Sequence, residues 1–379
     1  MSDALILGCF LFIFYTYFGY PLLLWAFRRK PATPSGGYIP SVSVIIAAYN
    51  EEAGIVETVE TILASRYPPE ALDVIVVSDA STDRTDEWVR RIANSRVQLL
   101  RQPVRSGQTA AMLRGTQVSQ STIVVMADAS GHFSPDTIHH LVRHFENEKV
   151  GAVSGYMEIR DSGSAVSEGN NLYGWYDMKL RHWESLTGSS YVGCEGGLFA
   201  IRRSLFRADF PLDIAADNAT CYRLYEEGFN HLFDPEAVII ERSARDLKNE
   251  FYRKVRIIVL QLRGFFAFRR LFIPWRHPRF FFQNVSHKLF RWMVPFALIL
   301  MWVASAFSPS LWGHAFFVAQ SVFYACAAFG ALVRSRHRAP WLLAIPAYFV
   351  AVNMGGLAAW FNLFRNYTVW SPPVRDPDI

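Results

Sequence analysis

The sequence predicts an α/β domain inserted between transmembrane helices, on three observations. Strand-like runs at 42–48, 73–78, 97–100, 122–127 and 150–154 alternate with helix-like patterns at 53–65, 84–94, 108–119 and 135–147, as in a doubly wound parallel sheet. Uncharged blocks at 4–27, at 292–333 (apart from His314) and at 339–364 are long and apolar enough to cross a bilayer. Between the first block and the second, roughly 40–250 has ordinary polarity, so the overall 51% hydrophobic content is unevenly spread.

The first block has no basic n-region, is long for a signal peptide, and is followed by Arg28-Arg29-Lys30. It therefore reads as an anchor, with the soluble domain in the cytoplasm. Arg269, Arg270, Arg276, Arg279, Lys288 and Arg291 before the second block, and Arg334-Ser-Arg-His-Arg338 after it, agree with that orientation. Ser308-Pro-Ser310 breaks the second block into a helical hairpin with an uncharged, external loop. Counting one span in 339–364 gives four helices with both termini outside, although Pro346 and Gly355-Gly356 are potential breaks. The layout is an anchor at 1–30, a Pro- and Gly-rich linker at 31–40, and a cytoplasmic α/β domain at 40–250. Amphipathic interfacial helices at 251–288, transmembrane helices at 289–364 and a tail at 365–379 follow.

Composition excludes several classes. Net charge is +5 and the basic residues cluster beside membrane segments, which fits anionic lipid headgroups and not nucleic acid. Cys9, Cys194, Cys221 and Cys326 have no metal-ligand spacing, and a cytoplasmic location disfavours disulfides. No G-x-G-x-x-G follows the first strand and no G-x-x-x-x-G-K-[ST] occurs, which argues against dinucleotide-binding and P-loop domains. His140 and His144, spaced i, i+4 beside Arg143 and Glu146, read as a solvated helix face and not a metal site.

The chemistry-bearing segments lie at strand ends. Ser41-Val-Ser-Val-Ile-Ile-Ala-Ala-Tyr-Asn-Glu-Glu52 and Val74-Ile-Val-Val-Ser-Asp-Ala-Ser-Thr-Asp-Arg-Thr85 are buried-strand runs ending abruptly in polar residues. Open α/β sheets bind ligands where their strands run out, so Tyr49, Glu51, Asp79 and Asp83 should line one crevice. Thr122-Ile-Val-Val-Met-Ala-Asp-Ala-Ser130 puts Asp128 at another strand end, where one carboxylate plus phosphate oxygens can hold Mg²⁺. Past Arg105 and Gly107, the helix beginning at Gln108 offers backbone N–H groups to a phosphate. Gly193-Cys-Glu-Gly-Gly197 lets backbone approach a ligand closely, with Glu195 as a hydrogen-bonding side chain beside Gly196. Asp217 also suits the N-cap of a helix over 218–228. Arg253, Arg256, Arg263 and Arg270 share a helical face opposite Val255, Ile258, Val259, Leu262 and Phe266, the pattern of an interfacial helix.

In this order, over about 40–260, these segments resemble the inverting family 2 glycosyltransferases of the membrane-integrated polysaccharide-synthase type. The resemblance implies a GT-A fold, a nucleotide-sugar donor (most often a UDP-sugar), and Mg²⁺ or Mn²⁺ held by Asp128. It implies Tyr49, Glu51 and Asp79 at the nucleoside, Asp217 as base, and Arg256, with Arg253 at a neighbouring motif position, at the diphosphate. The chain departs from the family where Gln108 and Leu113 replace Lys and Asn, Ser130 replaces a second acid, Ala216 replaces an acid, and Ile257 replaces Trp. Three readings follow: synthesis of a polysaccharide at the inner membrane, single transfer to a lipid carrier or glycolipid, or a non-catalytic sugar or nucleotide sensor. Four spans make a narrow channel, so secretion of a polymer would call for a homo-oligomer or a partner.

Overall fold

In a computed structural model, the structure describes residues 2–30, 36–160, 165–207, 209–211, 213–242, 247–333 and 341–365. They gather into two compact units. A helical unit takes the described residues of 1–27, 161–176 and 244–365, and a sheet unit those of 28–160 and 177–243.

The sheet unit has eight strands: β1 (Val42–Ala48), β2 (Leu72–Ser78), β3 (Val97–Arg101), β4 (Ile123–Asp128), β5 (His132–Phe133), β6 (Val150–Arg160), β7 (Leu198–Arg202) and β8 (Asn230–Arg242). Their spatial order is β3-β2-β1-β4-β7-β6-β8-β5. The first four pair in parallel, each returned by a helix as parallel pairing requires. Helices Ile55–Leu63 and Thr137–Val142 cover one face, against Val44 and Ile46, and Gln108–Val118 covers the other, against Ile45 and Val77. Coverage on both faces is why these strands read as continuous apolar runs.

The expectation of a wholly parallel sheet fails beyond β4. β7 runs antiparallel to both β4 and β6, β8 is parallel to β6, and β5 pairs antiparallel with β8. β7 comes from the segment after residue 155, where strand–helix alternation has stopped, so its insertion between β4 and β6 had no local signal. The sheet is mixed, and β7 delivers the 193–197 loop to the carboxyl end of β4.

In the helical unit, Ser2–Phe27, Pro278–Ala306, Leu311–Leu332 and Leu342–Phe361 are long and apolar enough to cross a membrane. Trp341–Phe361 runs unbroken through Pro346 and the two glycines, Gly355 lying against Phe251 and Lys254 and Gly356 against Pro295. Asp3 accepts hydrogen bonds from Ser308 (2.6 Å) and Ser310 (2.8 Å), so the start of the first span meets the turn between the second and third. Helix Leu247–Ala267 buries Val255, Ile258, Val259 and Leu262, but Phe266 is exposed and falls outside the predicted apolar face. Arg270 lies past its end, in the turn Arg269–Phe272, while Arg263 donates to the Leu363 carbonyl at 3.0 Å.

Candidate active site

β1 and β2 end side by side, and the loops beyond them are sewn together. Asn50 and Ala80 both adopt left-handed backbone (φ 54° and 57°), which turns each chain sharply out of its strand. The Asn50 side chain accepts from the Thr82 N–H (2.8 Å), Glu51 N–H donates to Thr85 Oγ1 (2.8 Å), and Glu52 N–H donates to Asp83 Oδ2 (3.0 Å). Asp83 Oδ1 also accepts from Thr85 N–H, so Asp83 holds the loops together. Asp79 is buried, and its two oxygens accept the N–H groups of Ser106 (2.7 Å) and Gly107 (2.8 Å). A carboxylate has about four acceptor positions, so Asp79 can hold this loop and still meet a ligand. Gly107 sits at φ 92°, a conformation that favours glycine, and leads into Gln108–Val118. The Arg105 guanidinium stacks 3.7 Å over the Tyr49 ring, and Asp79 holds the next residue, Ser106, so these three residues lie close together beyond the ends of β1 and β2.

Asp128 closes β4. Its N–H donates to the Gly197 carbonyl (3.2 Å), and its Oδ1 accepts from Gln108 Nε2 (2.9 Å). A side chain on Gly197 would begin 3.4 Å from Asp128 Oδ2, and one on Gly196 would begin 3.6 Å from Asp217 Oδ2. Two carboxylates separated by 89 positions in the numbering of the chain therefore face two consecutive glycines. Asp217 stands within the first turn of helix Ala216–Glu226, not ahead of it: the N-cap is Ala215, without a side-chain cap, and Asp217 Oδ1 accepts the Asn218 N–H (2.8 Å). The predicted N-cap role is thus not the one it plays.

Behind the glycines the 193–197 loop is braced from two directions. Gly193 takes φ 114°, with Asn218 Oδ1 2.9 Å from where a Cβ would stand. Arg181 is 7% exposed; it donates to the Gly193 carbonyl (2.8 Å) and Asp177 (2.7 Å), and lies 3.8 Å from Glu195. Burial works to lower its pKa, but Asp177 and Glu195 raise it further, and the guanidinium stays charged. The Glu195 N–H donates to Ser154 Oγ (2.8 Å), which meets His231 Nε2 (2.8 Å), while His231 Nδ1 faces the Ser190 carbonyl (2.7 Å). Cys194 and Cys221 are free and buried here, and burial pushes the Cys194 thiol up.

Sequence reasoning missed Arg181, Ser154 and His231. Asp177 and Arg181 form an i, i+4 pair that reads as surface decoration, and no local pattern marks a buried Ser–His contact. The solvated face expected at His140 and His144 is instead a latch onto β8. Arg143 donates to Asp234 (2.7 Å) and Glu236 (2.5 Å), and His144 Nε2 lies 2.7 Å from Asp234. His140, Asp234 and Glu236 come close enough together to hold a cation, but Arg143 already neutralises those acids. Arg253 and Arg256 are half-buried on helix Leu247–Ala267 of the helical unit.

Asp128 carries a carboxylate and Ser130, two residues on, a hydroxyl. Hard oxygen donors of these types suit Mg²⁺ or Mn²⁺ better than a soft metal, so the residue chemistry fits such a cation.

The class these features define is a GT-A domain accompanied by helices apolar enough to span a membrane. Residues 43–210 match the Glycosyl transferase family 2 model. The chain is similar to the probable glycosyltransferase YdaM of Bacillus subtilis, at 26% identity over 64% of this chain and 62% of that one. It also resembles a beta-monoglucosyldiacylglycerol synthase of Nostoc (31% identity; 31% of this chain, 26% of that one). A poly-beta-1,6-N-acetyl-D-glucosamine synthase of Staphylococcus aureus shares 24% identity (53% and 49% covered). The chain thus spans less than two thirds of the length of these curated relatives. Among solved structures, the mannosyltransferase PcManGT from Pyrobaculum calidifontis, in complex with GDP-Man and Mn²⁺, superposes with TM-score 0.69. Its identity is 25%, over 94% of this chain and 99% of that one.

Proposed function

We propose that this glycosyltransferase transfers a sugar, with inversion at the anomeric carbon, to a glycan or lipid-linked acceptor at the cytoplasmic face of the inner membrane. The observation that carries the reading is the placement of Asp217 and Asp128 against Gly196 and Gly197. Neither glycine adds a side chain beside the two carboxylates, and the neighbour packed on Gly197 is the flexible end of Met157, so a sugar ring can approach the carboxylates closely. Asp217 takes the proton from the attacking hydroxyl as that oxygen bonds to the anomeric carbon and the nucleoside diphosphate departs. Asp128, oriented by Gln108, would hold Mg²⁺ or Mn²⁺, which when bound neutralises charge on the diphosphate. By resemblance to the family, Arg256 is the residue expected to offset charge on that leaving group. Tyr49, Glu51 and Asp79 hold the nucleoside, and Arg105 and the Gln108 helix start meet the phosphates. Glu195 bonds acceptor hydroxyls.

The donor is a UDP-sugar by family resemblance. A GDP-sugar is the second reading, favoured by the likeness to a GDP-Man-bound mannosyltransferase along nearly the whole chain. The names of the relatives include a polysaccharide synthase and a glycolipid synthase, and Ile257, at the Trp position of the motif that the sequence resembles, favours single transfer. The test is product analysis. Purified protein in nanodiscs, given donor, divalent cation and candidate acceptors, should yield a product of inverted anomeric configuration. Long products from the protein alone would rule out single transfer, and retained configuration would rule out the mechanism.

A further inference from the structure

We propose that Glu241, carried in by β8, is the second carboxylate of the cation site, replacing the acid that the sequence lacks at Ser130. This rests on the role proposed for Asp128. Ser130 Oγ donates to Glu241 Oε1 at 3.2 Å, a contact between residues 111 apart in sequence. The register of β5 and β8 makes the meeting necessary. His132 pairs with Ile240 and Phe133 with Ile239, so one step further along the antiparallel ladder Glu241 lies beside Gly131, in the turn leaving Asp128. Side chains alternate along a strand, so Glu241 points to the same side as Ile239, which is fully buried against Gly131. Glu241 thus faces inward at the mouth of the turn.

The chemistry is complementary. A Mg²⁺ or Mn²⁺ ion shared with a diphosphate commonly takes one or two carboxylates. Asp128 already commits Oδ1 to Gln108. Ser130 is too short to replace an acid, but its hydroxyl can fix the orientation of a longer one arriving from β8. An aspartate at 130 would instead set two carboxylates against each other, so serine at 130 and glutamate at 241 belong together.

The test uses the full-length protein in nanodiscs and Mn²⁺ alone, with binding followed by electron paramagnetic resonance and folding by thermal denaturation. Asp128→Asn should abolish binding. Glu241→Gln should weaken Mn²⁺ at least tenfold without lowering Tm appreciably, and Ser130→Asp in the Glu241→Gln background should restore affinity to within about threefold of wild type. Wild-type Mn²⁺ affinity in Glu241→Gln, with loss in Asp128→Asn, overturns this inference and leaves the Asp128 reading standing. Wild-type affinity in Asp128→Asn overturns both. If Glu241→Gln fails to fold, Ser130→Ala decides: a severalfold weaker affinity in folded protein supports the inference, and unchanged affinity overturns it.

Discussion

Gln108 donates from Nε2 to Asp128 Oδ1 at 2.9 Å, joining the first residue of a helix to the last residue of β4. The family places a lysine in this segment. Here an amide does the orienting and adds no charge, so Asp128 keeps its full attraction for a cation. Removing the amide in Gln108→Leu deletes a hydrogen bond to a charged group, worth about 1.5–3 kcal/mol. The expected outcome is a roughly tenfold or larger rise in the metal concentration giving half-maximal turnover, with the fold retained by circular dichroism.

Gly197 is a position of close approach. A methyl there would begin 2.0 Å from Met157 Cε and 3.4 Å from Asp128 Oδ2, whereas one on Gly196 meets Asp217 Oδ2 at an ordinary 3.6 Å. Met157 can swing away, but the space beside the carboxylate is lost. Gly197→Ala should therefore lower kcat/KM roughly 10–100-fold, and adding Met157→Ala should recover stability but not rate. Initial rates and melting curves on both variants check this.

Arg181 braces the 193–197 loop. Arg181→Ala strands Asp177 and Glu195 around a buried site, which should cost about 3–5 kcal/mol in denaturant unfolding. Arg181→Lys keeps the charge but not the fork that reaches Asp177 and the Gly193 carbonyl together, so an intermediate loss is expected.

Asp234 should give the domain an acid-sensitive latch. Burial pushes its carboxyl up, but His144 and Arg143 outweigh that and hold it below the ordinary value of 3.8. A depressed carboxylate contributes stability that is fully present above its unfolded pKa and is lost as pH falls through the lower folded value. Asp234→Asn should thus be destabilising at pH 7, and the gap to wild type should narrow as pH drops below about 4. Unfolding free energies at the two ends of that range test it.

How much was legible in the sequence depended on whether the chemistry was local. Tyr49, Asp79 and Asp128 stand where apolar runs give way to polar residues, and that break is visible without a structure. The first four strands were also legible, because burial of β1, β2 and β4 leaves mostly Val, Ile and Ala, and even the half-exposed edge strand β3 keeps Val97, Leu99 and Leu100. The placement of β7 was not, since an inverted strand arriving after the long helix Ala165–Leu186 carries no periodic signal. Arg181, His231 and Glu241 escaped for the same reason: each acts on a residue from another strand or loop. The His140–His144 face was misread because its partner, Asp234, lies 90 residues from His144.

The most direct test of the account is donor turnover in purified protein with and without the two facing carboxylates. UDP- and GDP-sugars are screened with Mn²⁺ or Mg²⁺, and released nucleoside diphosphate is measured for wild type, Asp128→Asn and Asp217→Asn. The account predicts metal-dependent release from one donor, reduced at least about a hundredfold in Asp217→Asn and insensitive to added metal in Asp128→Asn. Wild-type turnover in Asp217→Asn, or unchanged metal dependence in Asp128→Asn, would contradict it.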